Sequence, residues 1–167
     1  CVDDLIEISA PAKLAGIVLA GGVLSLSGVS IVYFRVPFAG FWVLSPDLSA
    51  LVSVLWVIGM ANATNFIDGL DGLAAGILAI AAGAFFLYTN QLADNDLLRP
   101  GNLSPLVATA VVGICLGFLP HNFHPAKLFM GDGGALLLGL LMAAATISVG
   151  GRTRDQFSGQ TYFFFAP

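Results

Sequence analysis

Long apolar runs alternate with short polar interruptions along the chain, and that rhythm predicts the architecture. Apolar runs cover Leu14 to Phe34, Leu48 to Ala61, Leu73 to Thr89, Pro105 to Leu119 and Ala135 to Val149, and another begins at Thr161. A hydrocarbon core about 30 Å thick needs roughly 20 mainly apolar residues per helix, and only helices or closed barrels satisfy their backbone there. The pattern therefore predicts an all-α, polytopic transmembrane helix bundle of five spans plus a partial one.

The interruptions differ in kind. Arg35 to Pro46 holds the breakers Pro37, Gly40 and Pro46 and reads as a loop, with Phe41 and Trp42 as interface anchors. Asn90 to Ser104 and Gly150 to Gln160 read as solvent loops. The other two are polar islands, Asn62-Ala63-Thr64-Asn65-Phe66-Ile67-Asp68-Gly69-Leu70-Asp71-Gly72 and His121-Asn122-Phe123-His124-Pro125-Ala126-Lys127-Leu128-Phe129-Met130-Gly131-Asp132. Two crossings separate the Asp3-Asp4 stretch from the first island, and two more separate the islands. All three should share one membrane face.

Composition agrees with a membrane protein. Of the 167 residues, 57% are hydrophobic and 10% charged, against about 25% charged in a soluble domain. A net charge of -4 with no basic patch excludes nucleic acid as a partner. Cys1 and Cys115 lie on separate segments and form neither a disulfide framework nor a metal knuckle. Cys115 reads as a small apolar filler in a membrane helix, and Gly16, Gly21 and Gly22 as sites of close helix packing.

The islands carry the candidate chemistry. A carboxylate at the bilayer centre costs roughly 2.5–3.5 kcal/mol, so Asp68 and Asp71 belong at a water-facing helix end and mark function. Gly69 and Gly72 disfavour helix by roughly 1 kcal/mol each relative to Ala, which predicts a break within the first island. Asn62, Asn65, Asp68 and Asp71 would then offer oxygen ligands to a hard cation such as Mg²⁺. Asp132, opening the helix after Gly131, has two readings, an N-cap and a site residue on the shared face. Acids gathered there would be relieved by a divalent cation, with Lys13 or Lys127 as a point charge on phosphate. His121 and His124 make a weak metal signal and read as interface or loop-packing residues. The residues thus point to metal-assisted phosphoryl transfer at a membrane surface. Lys and Arg are more numerous on the opposite face, a weak indication against a cytoplasmic site.

Three motifs go further. Val2-Asp3-Asp4 with Lys13, Asn62-x-x-Asn65-x-x-Asp68-Gly69-Leu70-Asp71-Gly72-Leu73-Ala74 and Pro125-Ala126-Lys127-Leu128-Phe129-Met130-Gly131-Asp132 resemble the polyprenyl-phosphate N-acetylhexosamine-1-phosphate transferase family, in its bacterial, actinobacterial-like undecaprenyl- or decaprenyl-phosphate GlcNAc branch. The resemblance implies a cell-membrane enzyme with a cytoplasmic site, and this overrides the charge count. It implies transfer of GlcNAc-1-phosphate from UDP-GlcNAc to a polyprenyl phosphate, giving polyprenyl-diphosphate-GlcNAc and UMP. By motif position it makes Asp3, Asp4 and Asp132 catalytic, and Asn65 and Asp132 ligands of Mg²⁺, with Mn²⁺ as an alternative. Lys13, Asp68, Asp71 and Phe129 become substrate-binding, Lys13 at the diphosphate and Phe129 stacked on uracil. Implied partners are UDP-GlcNAc, polyprenyl phosphate, the lipid bilayer and a second copy of the chain in a homodimer.

Gly133 departs from the Ser or Thr common after the Asp. The chain reads as an internal fragment of one integral membrane catalytic domain, without flanking helices or the family's His-rich loop, and so as inactive alone. The alternative within the family is the phospho-MurNAc-pentapeptide transferase. CDP-alcohol phosphotransferases are disfavoured because no Arg follows Asp71-Gly72-Leu73-Ala74 and no later Asp-x-x-x-Asp appears. A non-catalytic bundle or transporter leaves three acidic loops on one face unexplained.

Overall fold

The structure is a computed structural model that describes residues 9–36, 40–98 and 100–150. Asp3, Asp4, Cys1 and the partial span from Thr161 lie outside the described residues. Among the described residues five helices and one hairpin follow in order: α1 (Ala10–Leu26), β1 (Tyr33–Val36), β2 (Gly40–Val43), α2 (Pro46–Ile67), α3 (Leu73–Asp94), α4 (Ser104–Asn122) and α5 (Gly131–Gly150). Helices α2 to α5 are each long and apolar enough to cross a membrane. The chain is a polytopic helical membrane bundle.

The first expected span is corrected. The helix stops at Leu26 rather than Phe34, and its 17 residues reach about 25 Å at 1.5 Å per residue. Ser27 and Gly28 end it: Gly28 takes a left-handed φ of 83°, and the Val29 amide donates back to the Leu24 carbonyl at 3.0 Å. The β-branched residues beyond leave the helix, and the Ile31 amide finds Ser53 Oγ at 2.8 Å. Arg35 to Pro46 is likewise more than a loop, since Tyr33–Val36 pairs antiparallel with Gly40–Val43.

Start signals place α2. Ser45 caps it by accepting from the Leu48 amide, Pro46 sits in its first turn, and Asp47 favours the positive end of the helix dipole. Helix α4 runs through Pro120 to Asn122, slightly past the expected end at Leu119.

Helix α5 is the centre of the bundle and packs against all four others. One side of it, through Leu138 and Met142, joins Leu78 and Ala82 of α3 with Val111 and Cys115 of α4. The other side, through Ala143 and Ile147, joins Ile17 of α1 with Val57 and Ala61 of α2. Lipid tails are as apolar as these side chains, so cohesion here comes from close packing rather than removal from water. Cys115 is fully buried as a free thiol, the filler role expected of it. Of the three glycines expected in close packing only Gly21 meets another helix, with Val54 and Val57 at 3.4 Å from an added Cβ; Gly16 and Gly22 face open space.

Candidate functional site

The two islands and the start of α1 meet at one end of the bundle, as the crossing count predicts. Helix α2 ends at Ile67 with Asp68 as its C-cap, and α3 restarts after Gly72, whose left-handed φ of 72° is one that only glycine adopts freely. The break expected inside the first island is therefore present.

The second island is folded onto the first. Asn122, only 3% exposed, accepts from the Gly72 amide through Oδ1 at 3.0 Å and donates through Nδ2 to the Leu128 carbonyl at 2.9 Å. Asp71 Oδ2 accepts from the Ala126 amide at 3.1 Å and lies 3.0 Å from His124 Nδ1. The backbone hydrogen bond from Ala126, then the contact with His124, hold the Asp71 carboxyl below the usual carboxylate range. His124 has the loop-packing role expected of it.

Sequence reasoning missed Asn122, although a carboxamide just after a helix-terminal His121 is a cue for loop bracing. Asn122→Ala removes two part-buried hydrogen bonds, each worth about 0.5–1.5 kcal/mol. The thermal unfolding midpoint of the detergent-solubilised protein should fall clearly, whereas His121→Ala, at an exposed side chain, should leave it in place.

A cleft of about 430 Å³ opens between α1, α2 and α5. Its polar lining is Lys13, Asn62, Asn65 and Asp132, and its apolar walls include Leu14, Ile17, Phe66 and Leu136. Lys13 Nζ reaches Asp132 Oδ2 at 2.5 Å across 119 residues of sequence. Asp132 lies in the first turn of α5 and turns its carboxylate to Lys13, which favours the site reading over the N-cap. Burial, and next the charge of Asp132, push the Asp68 carboxyl above its ordinary value.

Of the expected site residues, the cleft brings together Lys13, Asn65 and Asp132, with Asp68 close enough to sense Asp132. Asp71 does not line it and instead braces the second island. Phe129 also lies outside its lining and is 76% exposed. Asn62 and Phe66 join the lining, Phe66 without having been singled out.

The donor set fits a hard divalent cation. Asn62 spends its Nδ2 on the Ile58 carbonyl at 2.8 Å, so its Oδ1 is the atom that would meet a cation. With Asn65 and Asp132 the cleft offers two carboxamides and a carboxylate, all oxygen ligands, and Mg²⁺ usually takes only one or two carboxylates with water and phosphate completing its shell. Among the described residues no three His, Cys, Asp or Glu side chains gather as a group.

Comparison with known proteins gives the family. The decaprenyl-phosphate N-acetylglucosaminephosphotransferase of Mycobacterium leprae is 40% identical over 170 residues, covering 94% of this chain and 42% of that protein. The probable undecaprenyl-phosphate N-acetylglucosaminyl 1-phosphate transferase of Bacillus subtilis is 40% identical over 144 residues, covering 83% of this chain and 37% of that protein. A phospho-N-acetylmuramoyl-pentapeptide-transferase of Desulforudis audaxviator is 41% identical over 146 residues, covering 81% and 42%. The chain spans about two fifths of the length of these relatives. The family model described as glycosyl transferase family 4 matches residues 1–150, a stretch that includes every helix lining the cleft, and the chain belongs to that family.

Proposed function

We propose that the full-length enzyme containing this chain transfers GlcNAc-1-phosphate from UDP-GlcNAc to a polyprenyl phosphate. The products are polyprenyl-diphosphate-GlcNAc and UMP, a first membrane step of cell-envelope polysaccharide synthesis. The observation that carries the reading is the cleft itself: a lysine, a carboxylate and two carboxamides from three helices meet at one membrane end, beside apolar walls suited to a lipid. The names of the relatives supply the substrate class.

In this reading the site faces the cytoplasm, where UDP-sugars are made. Asn65 and Asp132 hold Mg²⁺, or Mn²⁺ in its place, with Asn62 beside them. The bound cation supplies neutralisation of the diphosphate charge. Lys13 gives up part of its pairing with Asp132 to meet a phosphate oxygen as a mobile point charge. The apolar walls hold the first units of the lipid acceptor and keep water from the sugar-linked phosphorus. Asp3 and Asp4 act beside the acceptor phosphate. Asp68 and Asp71 shape the nucleoside pocket, Asp71 by holding the loop that presents Phe129.

The phospho-MurNAc-pentapeptide transfer is the second reading, favoured by the similarity to the Desulforudis audaxviator transferase. Full-length enzyme assayed with Mg²⁺ and polyprenyl phosphate should release UMP from UDP-GlcNAc and not from UDP-MurNAc-pentapeptide. The reverse result would replace the first reading by the second.

Phe129→Ala should raise KM for the UDP-sugar about 10-fold or more, since stacking on a base is worth roughly 1–3 kcal/mol. An unchanged KM would remove Phe129 from the uracil pocket.

A further inference from the structure

The seam between α2 and α5 is closed at two heights. Trp56 Nε1 donates to Thr146 Oγ1 at 3.0 Å. Seven residues nearer the site on α5, Gly139 lies directly against α2. A Cβ added to Gly139 would stand 2.6 Å from Ala61 Cα, 2.7 Å from the Met60 carbonyl oxygen and 2.9 Å from Thr64 Oγ1. The two nearest atoms are backbone, so a methyl group fits only if one helix retreats. Carbon atoms settle at about 3.5–4.0 Å, which makes the retreat roughly 1 Å. By contrast, a Cβ on Gly59 or Gly113 would meet nothing within 4 Å.

The register of this seam runs into the cleft. A further seven residues toward the site bring α5 from Gly139 to Asp132 and α2 from Ala61 to Asp68, the two acids whose charges interact. On the way α2 passes Asn65, which lines the cleft opposite Asp132. Two antiparallel helices in backbone contact thus carry the carboxamide and the carboxylate on their last and first turns.

We infer that Gly139 is a positioning residue, which sets the spacing of Asn65 and Asp132 across the cleft by letting the α2 backbone into contact with α5. The inference rests on the metal role proposed for those two side chains. A displacement of 1 Å in a catalytic constellation can cost on the order of 10²-fold in rate.

The test uses full-length enzyme, with Mn²⁺ binding read by electron paramagnetic resonance of the free ion and kinetics read by UMP release. Gly139→Ala should weaken Mn²⁺ binding about tenfold and lower kcat on the order of 10²-fold, with KM for the UDP-sugar within about threefold of wild type. Gly59→Ala, on the open side of α2, should change neither. A folded Gly139→Ala enzyme that matches Gly59→Ala in Mn²⁺ affinity and kcat overturns the inference. If Gly139→Ala does not fold, Thr64→Val decides: it puts a methyl where the hydroxyl faces Gly139 and should weaken Mn²⁺ binding. Thr109→Val, which loses the same kind of bond to a carbonyl four residues back, should not, and equal affinities in the two variants overturn the inference. A wild-type enzyme that binds no Mn²⁺, or an Asp132→Asn enzyme that binds it as tightly as wild type, overturns the metal role and this inference with it.

Discussion

Asp132→Asn in the full-length enzyme should cut Mg²⁺-dependent release of UMP from UDP-GlcNAc by on the order of 10³-fold or more, the size of loss seen when a preorganised charge-stabilising group is removed. The substitution is nearly isosteric and keeps an oxygen in place, so shape and packing in the first turn of α5 survive. What disappears is the charge that pairs with Lys13 and raises the Asp68 carboxyl. Folding should not suffer, because a half-exposed pair contributes about 1 kcal/mol or less and the repulsion between Asp68 and Asp132 is relieved at the same time. The two readouts therefore separate, with turnover collapsing while the thermal midpoint stays level or rises. Near-normal turnover would remove Asp132 from the metal site.

The expected helical bundle is present because it rests on long-range arithmetic that local detail does not disturb. Apolar runs set the number of helices, and the parity of crossings brings Lys13, Asn65 and Asp132 to the same end. The end of α1 was harder to read. Val29, Ile31 and Val32 are as apolar as the helix before them, and the stop lies in the backbone chemistry of Ser27 and Gly28 rather than in hydropathy. The division of labour among the acids was also hidden. Asp68 and Asp71 are equivalent in the motif, yet one is half-buried and senses the charge of Asp132 while the other is held by an amide from the second island. Spacing along one segment cannot reveal a partner 55 residues away. Asn122 and Gly139 were missed for the same reason, since each matters through contact with a distant helix or loop.

Lys13 offers the sharpest test of whether the cleft is built for phosphate. Its ammonium meets Asp132 from a position one turn into α1, and its side chain is 25% exposed, so the stem is packed while the head remains reachable. Lys13→Met preserves the length and apolar character of that stem. Because the pair adds little to stability, the variant should unfold within a few degrees of wild type. Its kcat/KM for the UDP-sugar should nevertheless fall on the order of 10²–10³-fold, since the positive charge proposed to meet the substrate phosphate is lost. Lys13→Arg restores the charge but brings a planar fork in place of a compact ammonium, so recovery should be partial. Parallel Mn²⁺ titration distinguishes the mechanism: with the ammonium gone, Asp132 is released to the cation, and Mn²⁺ should bind as tightly as in wild type or more so. Weaker Mn²⁺ binding in Lys13→Met would mean that Lys13 serves the cleft by orienting Asp132, and a kcat/KM within about threefold of wild type would exclude it from phosphate binding altogether.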